Sequence, residues 1–593
     1  MKNFCHSKLV FAGILAFPNF VGTGICAPLI NEIMFHPVNG ISVEVPGEEF
    51  VELRNPELAG WNVGGWIFTK GITYTLPSGT IIPAGGYLII AANVSAFQAK
   101  HPGAGPVIGG WTGTLSNNQE TLELTDATGA IVDSVNYASE GDWARRRHPL
   151  GTETDPPNDA YAMTHGWIWR NESDGRGNSL ELRNALLNNN SGQNWMPSVS
   201  AGGTPGQANS KITTDLPPMV SKVAHTPSIP KPSDLVTVRA HVVDELTAGI
   251  AVTLHWRVAT LSPGSFAGVA MQDLGTGVDE RAGDGEYAAL LPAQPEGTIV
   301  EYYVRAADAN SSRTWPAPTD DSGTQGANAL YQVDSAAEPA GAPYYRLILT
   351  PIEKAAFDAI PDPTSNTTFN ATLITRITED IQVRHSSGQR VRGAGSRNEL
   401  PRSVRIDVPN DHLWQGKSSL NLNSHYCWLE RLGAHFSQAG GLPTPYTALV
   451  HLRMNGAAPN GSAGTAATHF GFYSHVEPEG GEFLDNALPE DSAGNLYSKR
   501  SDTSADWAYR AGNVAAYQTD GWSKQTHASL NDWTDLDHFL QVVNSAASDG
   551  TISDAELAGI RAVSDVSQWL RYFAVNTILT NGENSLASGR DDD

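Results

Sequence analysis

Short strand-like runs of period two, cut apart by glycine and proline turns, recur from Leu29 to Asp334 and constrain the fold of this chain more than any other feature. From Leu29 to Gly206 these runs are INEIMFHP, EEFVELRNP, ITYTLPSGT, GGYLIIAAN, ETLELTDATG and AIVDSVNYA. In Thr121-Leu122-Glu123-Leu124 polar and apolar side chains alternate, so they would face opposite sides of a sheet. Pro77-Ser78-Gly79 and Ala84-Gly85-Gly86 supply turns that tolerate positive φ. The spacing predicts a β-sandwich over 28–206, with Ser179–Ser210 as its C-terminal extension running into a linker. A second β unit is expected over 216–334, from LVTVRAHVVD, AVTLHWRVA and TIVEYYVRAAD, with Gly283-Asp284-Gly285-Glu286-Tyr287 as a turn. His255 and Trp256 fall within one of its strands and read as packing residues.

At 593 residues the chain exceeds one hydrophobic core, and the size favours about three to five domains. Residues 335–343, SAAEPAGAP, read as a linker. From Tyr344 helical spacing appears at Cys427–Phe436, Leu536–Val543 and Val566–Leu579, so 344–593 is expected to be α+β. The first residues, MKNFCHSK followed by the apolar run Leu9–Phe17 and Ile25-Cys26-Ala27, have the pattern of a signal peptide over 1–27. No other stretch is long and apolar enough for a transmembrane anchor, so a secreted or cell-surface protein is expected. Lysine and arginine total 38 against 63 acidic residues, a formal charge of −25 that argues against a nucleic-acid partner and suits a soluble monomer. Once the leader is removed only Cys427 of the 3 cysteines remains, which excludes a disulfide framework and reads as a small core residue.

Ordered matches then place both ends of the chain. Asn31-Glu32-Ile33-Met34, Glu49-Phe50-Val51-Glu52-Leu53, Ala59-Gly60-Trp61, Leu76-Pro77-Ser78-Gly79-Thr80, Pro83-Ala84-Gly85-Gly86-Tyr87 and Asp133-Ser134-Val135-Asn136-Tyr137 resemble the lamin-tail domain of secreted bacterial proteins. That family implies an immunoglobulin-like fold serving interaction, and the 216–334 unit resembles an immunoglobulin or fibronectin spacer. The expected architecture is multidomain: an all-β N-terminal half of two immunoglobulin-like β-sandwiches, then an α+β kinase-like region. Arg392-Gly393-Ala394-Gly395-Ser396-Arg397, Arg402-Ser403-Val404-Arg405-Ile406, Leu429-Glu430-Arg431-Leu432, Leu452-Arg453-Met454-Asn455-Gly456, Gly471–Glu477 and Trp569–Phe573 running to Asn581–Asn584 resemble the CotH family of atypical kinases. The resemblance implies ATP and Mg2+ as cofactors and an extracellular or envelope protein as substrate.

The site residues follow from that resemblance. Gly393, Gly395 and Ser396 form a turn through which backbone can approach a nucleotide. Glu430, on the first helix of the region, is the expected partner of a phosphate-binding cation; Arg402 and Arg405 stand where the family has lysine, and Asp407 where a basic residue often stands. Glu477 corresponds to the acidic residue near the nucleotide hinge. Glu583 takes the position of the catalytic aspartate, and Asp593 is the candidate metal ligand. The chain stops before the family's downstream aspartate motif, so it reads as truncated. A non-catalytic surface or matrix scaffold with a degenerate kinase-like domain is the competing function. Asp549–Glu556 resembles half of a calcium loop, but Ala547 at its third position offers no side-chain ligand. His425 and His435 lack a metal-binding companion pattern, and no haem, flavin or zinc is expected.

Overall fold

The structure is a computed structural model, and it describes residues 27–39, 43–149, 166–246, 248–338, 341, 343–360, 365–393, 397, 400–459, 472–499, 507–546 and 551–579. Residues 1–26 of the expected leader lie outside the described residues, as do Gly395, Ser396, Glu583 and Asp593.

The strand-rich half expected from the alternation is present. In the lamin-tail region a six-stranded sheet containing Leu29–Met34, Phe50–Arg54 and Tyr87–Ala91 faces a four-stranded sheet containing Ile67–Lys70, Gln119–Thr125 and Ile131–Ala138. Ile30, Val51, Leu53 and Ile90 from the first sheet share one core with Phe68, Leu122, Leu124 and Tyr137 from the second, the apolar positions of each alternating run. The segment Ser179–Ser210 is integral to this body. Its strands Leu180–Leu182 and Trp195–Pro197 extend the first sheet at one edge. Its loop closes over two buried carboxylates: Thr204 N–H donates to Glu32 Oε1 (2.8 Å) and Gly206 N–H to Glu52 Oε2 (2.5 Å).

The second unit packs a three-stranded sheet around Val236–Val243 against a five-stranded one built on Ala251–Val258 and Ile299–Ala307. Val236, Val238, Ala240 and Val242 are buried while the residues between them are half-exposed, the pattern that LVTVRAHVVD predicts.

The third region is a mixed α/β body. Seven strands close into a barrel in the order Tyr344–Ile348, Phe369–Ile377, Asp380–Val391, Val404–Asp407, Ser419–Asn423, Phe472–Val476 and Thr447–Met454, with Tyr344–Ile348 returning parallel to Thr447–Met454. Tyr345, Leu373, Trp414, Leu420 and Tyr473 fill the interior. The helix Cys427–Ala439 leads from Ser419–Asn423 into Thr447–Met454. The later helices Thr534–Ala546 and Val566–Leu579 follow the predicted spacing, Asp554–Val563 forms without having been predicted, and Leu536 and Leu540 of the first join Tyr517, Trp522 and Trp533 in a second, aromatic core. An earlier helix, Pro351–Asp358, also forms. Thr350 caps it, with Oγ1 accepting from Glu353 N–H (3.3 Å), and Pro351 occupies its first turn, so Glu430 lies on the second helix of the region and not the first.

The three bodies are packed together. Ala259, Ile299 and Leu330 of the sandwich meet Ile348 and Ile374 of the barrel in an apolar seam. The buried guanidinium of Arg146 donates to Asn370 Oδ1 (2.8 Å) and to the Ser387 carbonyl (3.1 Å), tying the lamin-tail body to the barrel. Trp167 Nε1 donates to Glu353 Oε1 (2.6 Å) at the same seam. The Pro/Ala-rich segment after Asp334 runs between a buried Arg346–Asp334 ion pair and an Arg376–Glu338 pair. No helix among the described residues is long and apolar enough to cross a membrane.

Candidate functional site

The alternation that sends Val391, Val404, Ile406 and Leu422 into the barrel turns Arg390, Arg392, Arg405, Asn421 and Asn423 to its outer face. Arg390 stands opposite Arg405, and Arg405 opposite Asn421. The helix Cys427–Ala439 packs on the strands Phe472–Val476 and Thr447–Met454 and starts at the end of Ser419–Asn423. It is anchored by the buried Cys427, whose Sγ donates to the Asn423 and Phe472 carbonyls (3.3 Å each), and this brings Glu430 over the strand end, where Oε1 accepts from Asn423 Nδ2 (2.6 Å).

Arg392 is a cation whose charge responds to Glu430. Burial pushes its guanidinium down to about 10; Glu430 pulls it back up, while Arg405 and Arg390 oppose it. A half-buried arginine, a helix-borne glutamate and two further arginines therefore share one outer face of the barrel. The positive charge there is countered by Glu430 and Glu479 at Arg392 and by Asp407 at Arg405, and the guanidinium that is least paired, that of Arg392, is suited to phosphate oxygens.

Gly393 has φ of +106°. Arg397 is 6 % exposed and donates to the carbonyls of Gly393 (3.2 Å), Val391 (3.3 Å) and Ser365 (2.5 Å) and to Asn366 Oδ1 (2.8 Å). One buried guanidinium thus ties Val391 and Gly393 to the segment before Phe369–Ile377.

The other sequence-expected residues are placed apart from this cluster or engaged elsewhere. Arg402 donates to the Ile360 carbonyl (2.8 Å) and lies over the Phe357 ring. Arg405 shares the outer face, but its Nε is held by Asp407 Oδ1 (2.7 Å) and its Nη2 donates to Ser419 Oγ (3.0 Å). Glu477 is buried at the end of Phe472–Val476. Its carboxylate pairs with Lys417, accepts from Asn486 Nδ2 (2.8 Å) and accepts from Tyr446 N–H (3.0 Å), so it fastens three segments to the barrel rim. Glu556, in the calcium-like stretch, is spent on a capping box with Ser553, accepting from its N–H (2.8 Å) and Oγ (2.6 Å). Sequence reasoning missed Arg392 as the cation facing Glu430, and Lys417 altogether. The available signal for the first was the alternation Arg390-Val391-Arg392 leading into the turn; for Lys417, in a turn between strands, there was none.

Residues 389–588 match the family model described as CotH kinase protein, and residues 26–139 match that of the Lamin Tail Domain. No curated protein matches the chain. Among solved structures, the cycloalternan-forming enzyme from Listeria monocytogenes in complex with a pentasaccharide substrate is 13 % identical with a TM-score of 0.14, over 34 % of this chain and 20 % of that one. A cycloisomaltooligosaccharide glucanotransferase of Paenibacillus sp. complexed with cycloisomaltoheptaose is 21 % identical with a TM-score of 0.13, over 28 % and 22 %. The chain spans about a fifth of the length of those proteins, and likeness at that level bears on neither fold nor function. What the family models establish is a chain that carries a lamin tail domain near its start and a CotH kinase-family domain in its second half.

Proposed function

We propose that this protein is an exported CotH-like protein kinase that transfers phosphate from ATP to an extracellular or envelope protein, with its β-sandwich modules placing it on that target. The observation that carries the reading is the juxtaposition of Arg392 and Glu430 beside the Gly393 turn on the outer face of the barrel. Phosphoryl transfer needs charge neutralisation more than covalent chemistry, and a part-buried cation within the field of a helix glutamate answers that need. Arg392, with Arg390 and Arg405 behind it, would hold the nucleotide phosphates, and Glu430 would orient Arg392. Magnesium, when bound with ATP, would neutralise charge between the phosphates; Asp593 is the proposed ligand, and Glu583 the group that takes the proton of the attacking hydroxyl.

The test is a calorimetric titration of the whole protein with ATP, with and without magnesium, beside Arg392→Ala and Glu430→Ala. Magnesium-dependent binding that both substitutions abolish, with unfolding temperatures unchanged, supports the reading. Absence of binding at millimolar ATP overturns it. The second reading, a non-catalytic surface or matrix scaffold, then stands; it is favoured by the commitment of Arg402, Arg405 and Glu477 to partners within the protein.

A further inference from the structure

The lamin-tail body, the sandwich and the barrel meet around one cavity of about 1960 Å³. In a chain of net charge −25 its wall is the reverse of the average: seven arginines and one lysine stand against five carboxylates. Most of those carboxylates are already engaged. Glu172 binds Arg170 through both oxygens (2.6 and 2.8 Å), Asp321 pairs with Arg145, and Asp320 accepts from Ser322 and Thr324 within its own turn. Asp411 accepts from the Asp142 N–H (2.8 Å), and Asp142 accepts from Gln193 Nε2 (2.9 Å). Burial raises both of these aspartates, to about 7 for Asp411 and about 6 for Asp142, so they carry less than full charge near neutrality.

Three cations are left over. Arg183 of the lamin-tail body and Lys222 and Arg305 of the sandwich line the cavity with no acidic partner among the described residues. Arg183 is half-buried and its Nε, sealed from solvent, has no hydrogen-bond partner. Its charge also acts against the neighbouring Arg313, which burial has already pushed down to about 10. Like charges gathered without a counter-charge cost stability unless an anion joins them.

The rest of the wall is aromatic. Trp167 lies against His148 with centroids 4.0 Å apart, Trp169 sits under the Arg146 guanidinium at 5.4 Å, and Trp315 meets His385 edge-on at 5.9 Å. All three tryptophans are half-exposed and line the cavity. Flat ring faces bind the C–H faces of sugar rings or the faces of bases, whereas a string of acidic side chains would leave them unused. The acidity of the whole chain disfavours a nucleic acid, whose charge continues beyond the cavity.

We propose that the cavity binds an acidic oligosaccharide, its rings lying on Trp167, Trp169 and Trp315 and its carboxylate or sulfate groups meeting Arg183, Lys222 and Arg305. This site is separate from the outer face of the barrel that carries Arg392, and it stands whether or not the protein transfers phosphate.

The whole protein is titrated by calorimetry with an oligogalacturonate and a heparin oligosaccharide, which distinguish carboxylate from sulfate. A neutral gluco-oligosaccharide, polyglutamate and an oligothymidylate serve as the contrasting probes. Binding of at least one acidic oligosaccharide is expected, with quenched tryptophan fluorescence and an affinity about tenfold or more weaker in the combined Arg183→Gln, Lys222→Gln, Arg305→Gln variant. Lys222 and Arg305 are exposed, so Lys222→Gln with Arg305→Gln serves should the triple variant unfold, and it too must weaken binding. The proposal is overturned if neither acidic oligosaccharide binds at millimolar concentration, if the substitutions leave affinity unchanged, or if polyglutamate, oligothymidylate or the neutral sugar binds as tightly.

Discussion

Acidification should act with opposite sign on two parts of this molecule. Where the sandwich meets the barrel, a buried chain of hydrogen bonds has one consistent arrangement of protons. His225 Nε2 faces the Ser228 carbonyl (3.1 Å), which only accepts, so Nε2 carries the hydrogen and Nδ1 is bare. Tyr302 must therefore donate to His225 Nδ1 (3.2 Å) and accept from His385 Nε2–H (3.2 Å), which leaves His385 Nδ1 to accept from Thr372 (3.0 Å). Both histidines are neutral in this arrangement, and burial lowers both, His225 to about 4. A histidine held below its unfolded value contributes its full stability above about pH 6.5 and loses it as pH falls toward the folded value. For His225 alone, moving from pH 7 to pH 5 removes about 2 kcal/mol, and His385 adds in the same direction. In the lamin-tail sheet the reverse holds: burial raises Glu32 and Glu52, so the stability they cost when ionised is recovered as pH falls. Hydrogen exchange resolved by peptide reads both at once. Between pH 7 and 5, after correction for intrinsic exchange, Ile299–Ala307 and Asp380–Val391 should lose protection by about thirtyfold while Leu29–Met34 and Phe50–Arg54 gain it. Tyr302→Phe, which strands two buried ring nitrogens, should loosen the junction by about 2–5 kcal/mol at pH 7 and blunt its pH dependence. Unchanged protection at the junction, or loss in the lamin-tail strands, refutes the proton arrangement.

Lys417→Met leaves the buried Glu477 carboxylate without its counter-charge and should cost about 3–5 kcal/mol, read as lost protection of Phe472–Val476; adding Glu477→Gln should recover more than half. Gly141 has φ of +69°, and a Cβ there would lie 1.8 Å from Asp411 Oδ1. Gly141→Ala should therefore destabilise by about 3 kcal/mol or more, against about 1 kcal/mol for Gly249→Ala, which shares the backbone conformation but meets nothing; urea unfolding compares them. Burial raises the Cys427 thiol to about 11, so mass spectrometry should find no iodoacetamide adduct at pH 7.5 until the protein is unfolded. Asp407→Asn frees the Arg405 guanidinium on the face shared with Arg392 and should tighten ATP binding by about tenfold; an unchanged affinity would remove Arg405 from the phosphate site.

The local structure was legible wherever one side of an element is buried. Val236–Val243 and Cys427–Ala439 carry period-two and helical apolar spacing because each hides one face; the strand forms as read, and the helix runs on past the Phe436 at which its spacing was read to end. Barrel closure was not legible, since it depends on Tyr344–Ile348 lying parallel to Thr447–Met454 about a hundred residues later, and nothing within either strand names its partner. The helix Pro351–Asp358 was announced by Thr350-Pro351 with Glu353, a capping signal shorter than the periodicity that locates longer helices. The site was legible only as residue types: Glu430 could be picked out on a helix, but the cation within its field could not be named without knowing which strand end the helix starts from.

Closure also decides where a ligand of the barrel can sit. Tyr345, Trp414 and Tyr473 occupy its interior and are at most 1 % exposed, so chemistry must be done by side chains that leave the barrel outward. Those side chains are set by strand parity, and on Asp380–Val391 and Val404–Asp407 that parity selects arginines. An outward arginine is ordinarily solvated and weak as an anion receptor. Burial of Arg392 changes this, because it strengthens every remaining electrostatic interaction there, and Glu430 raises the guanidinium against the burial that lowers it. The closed core and the arginine-bearing outer face are thus two consequences of one alternation, which sends Val391, Val404 and Ile406 inward and Arg390 and Arg405 outward.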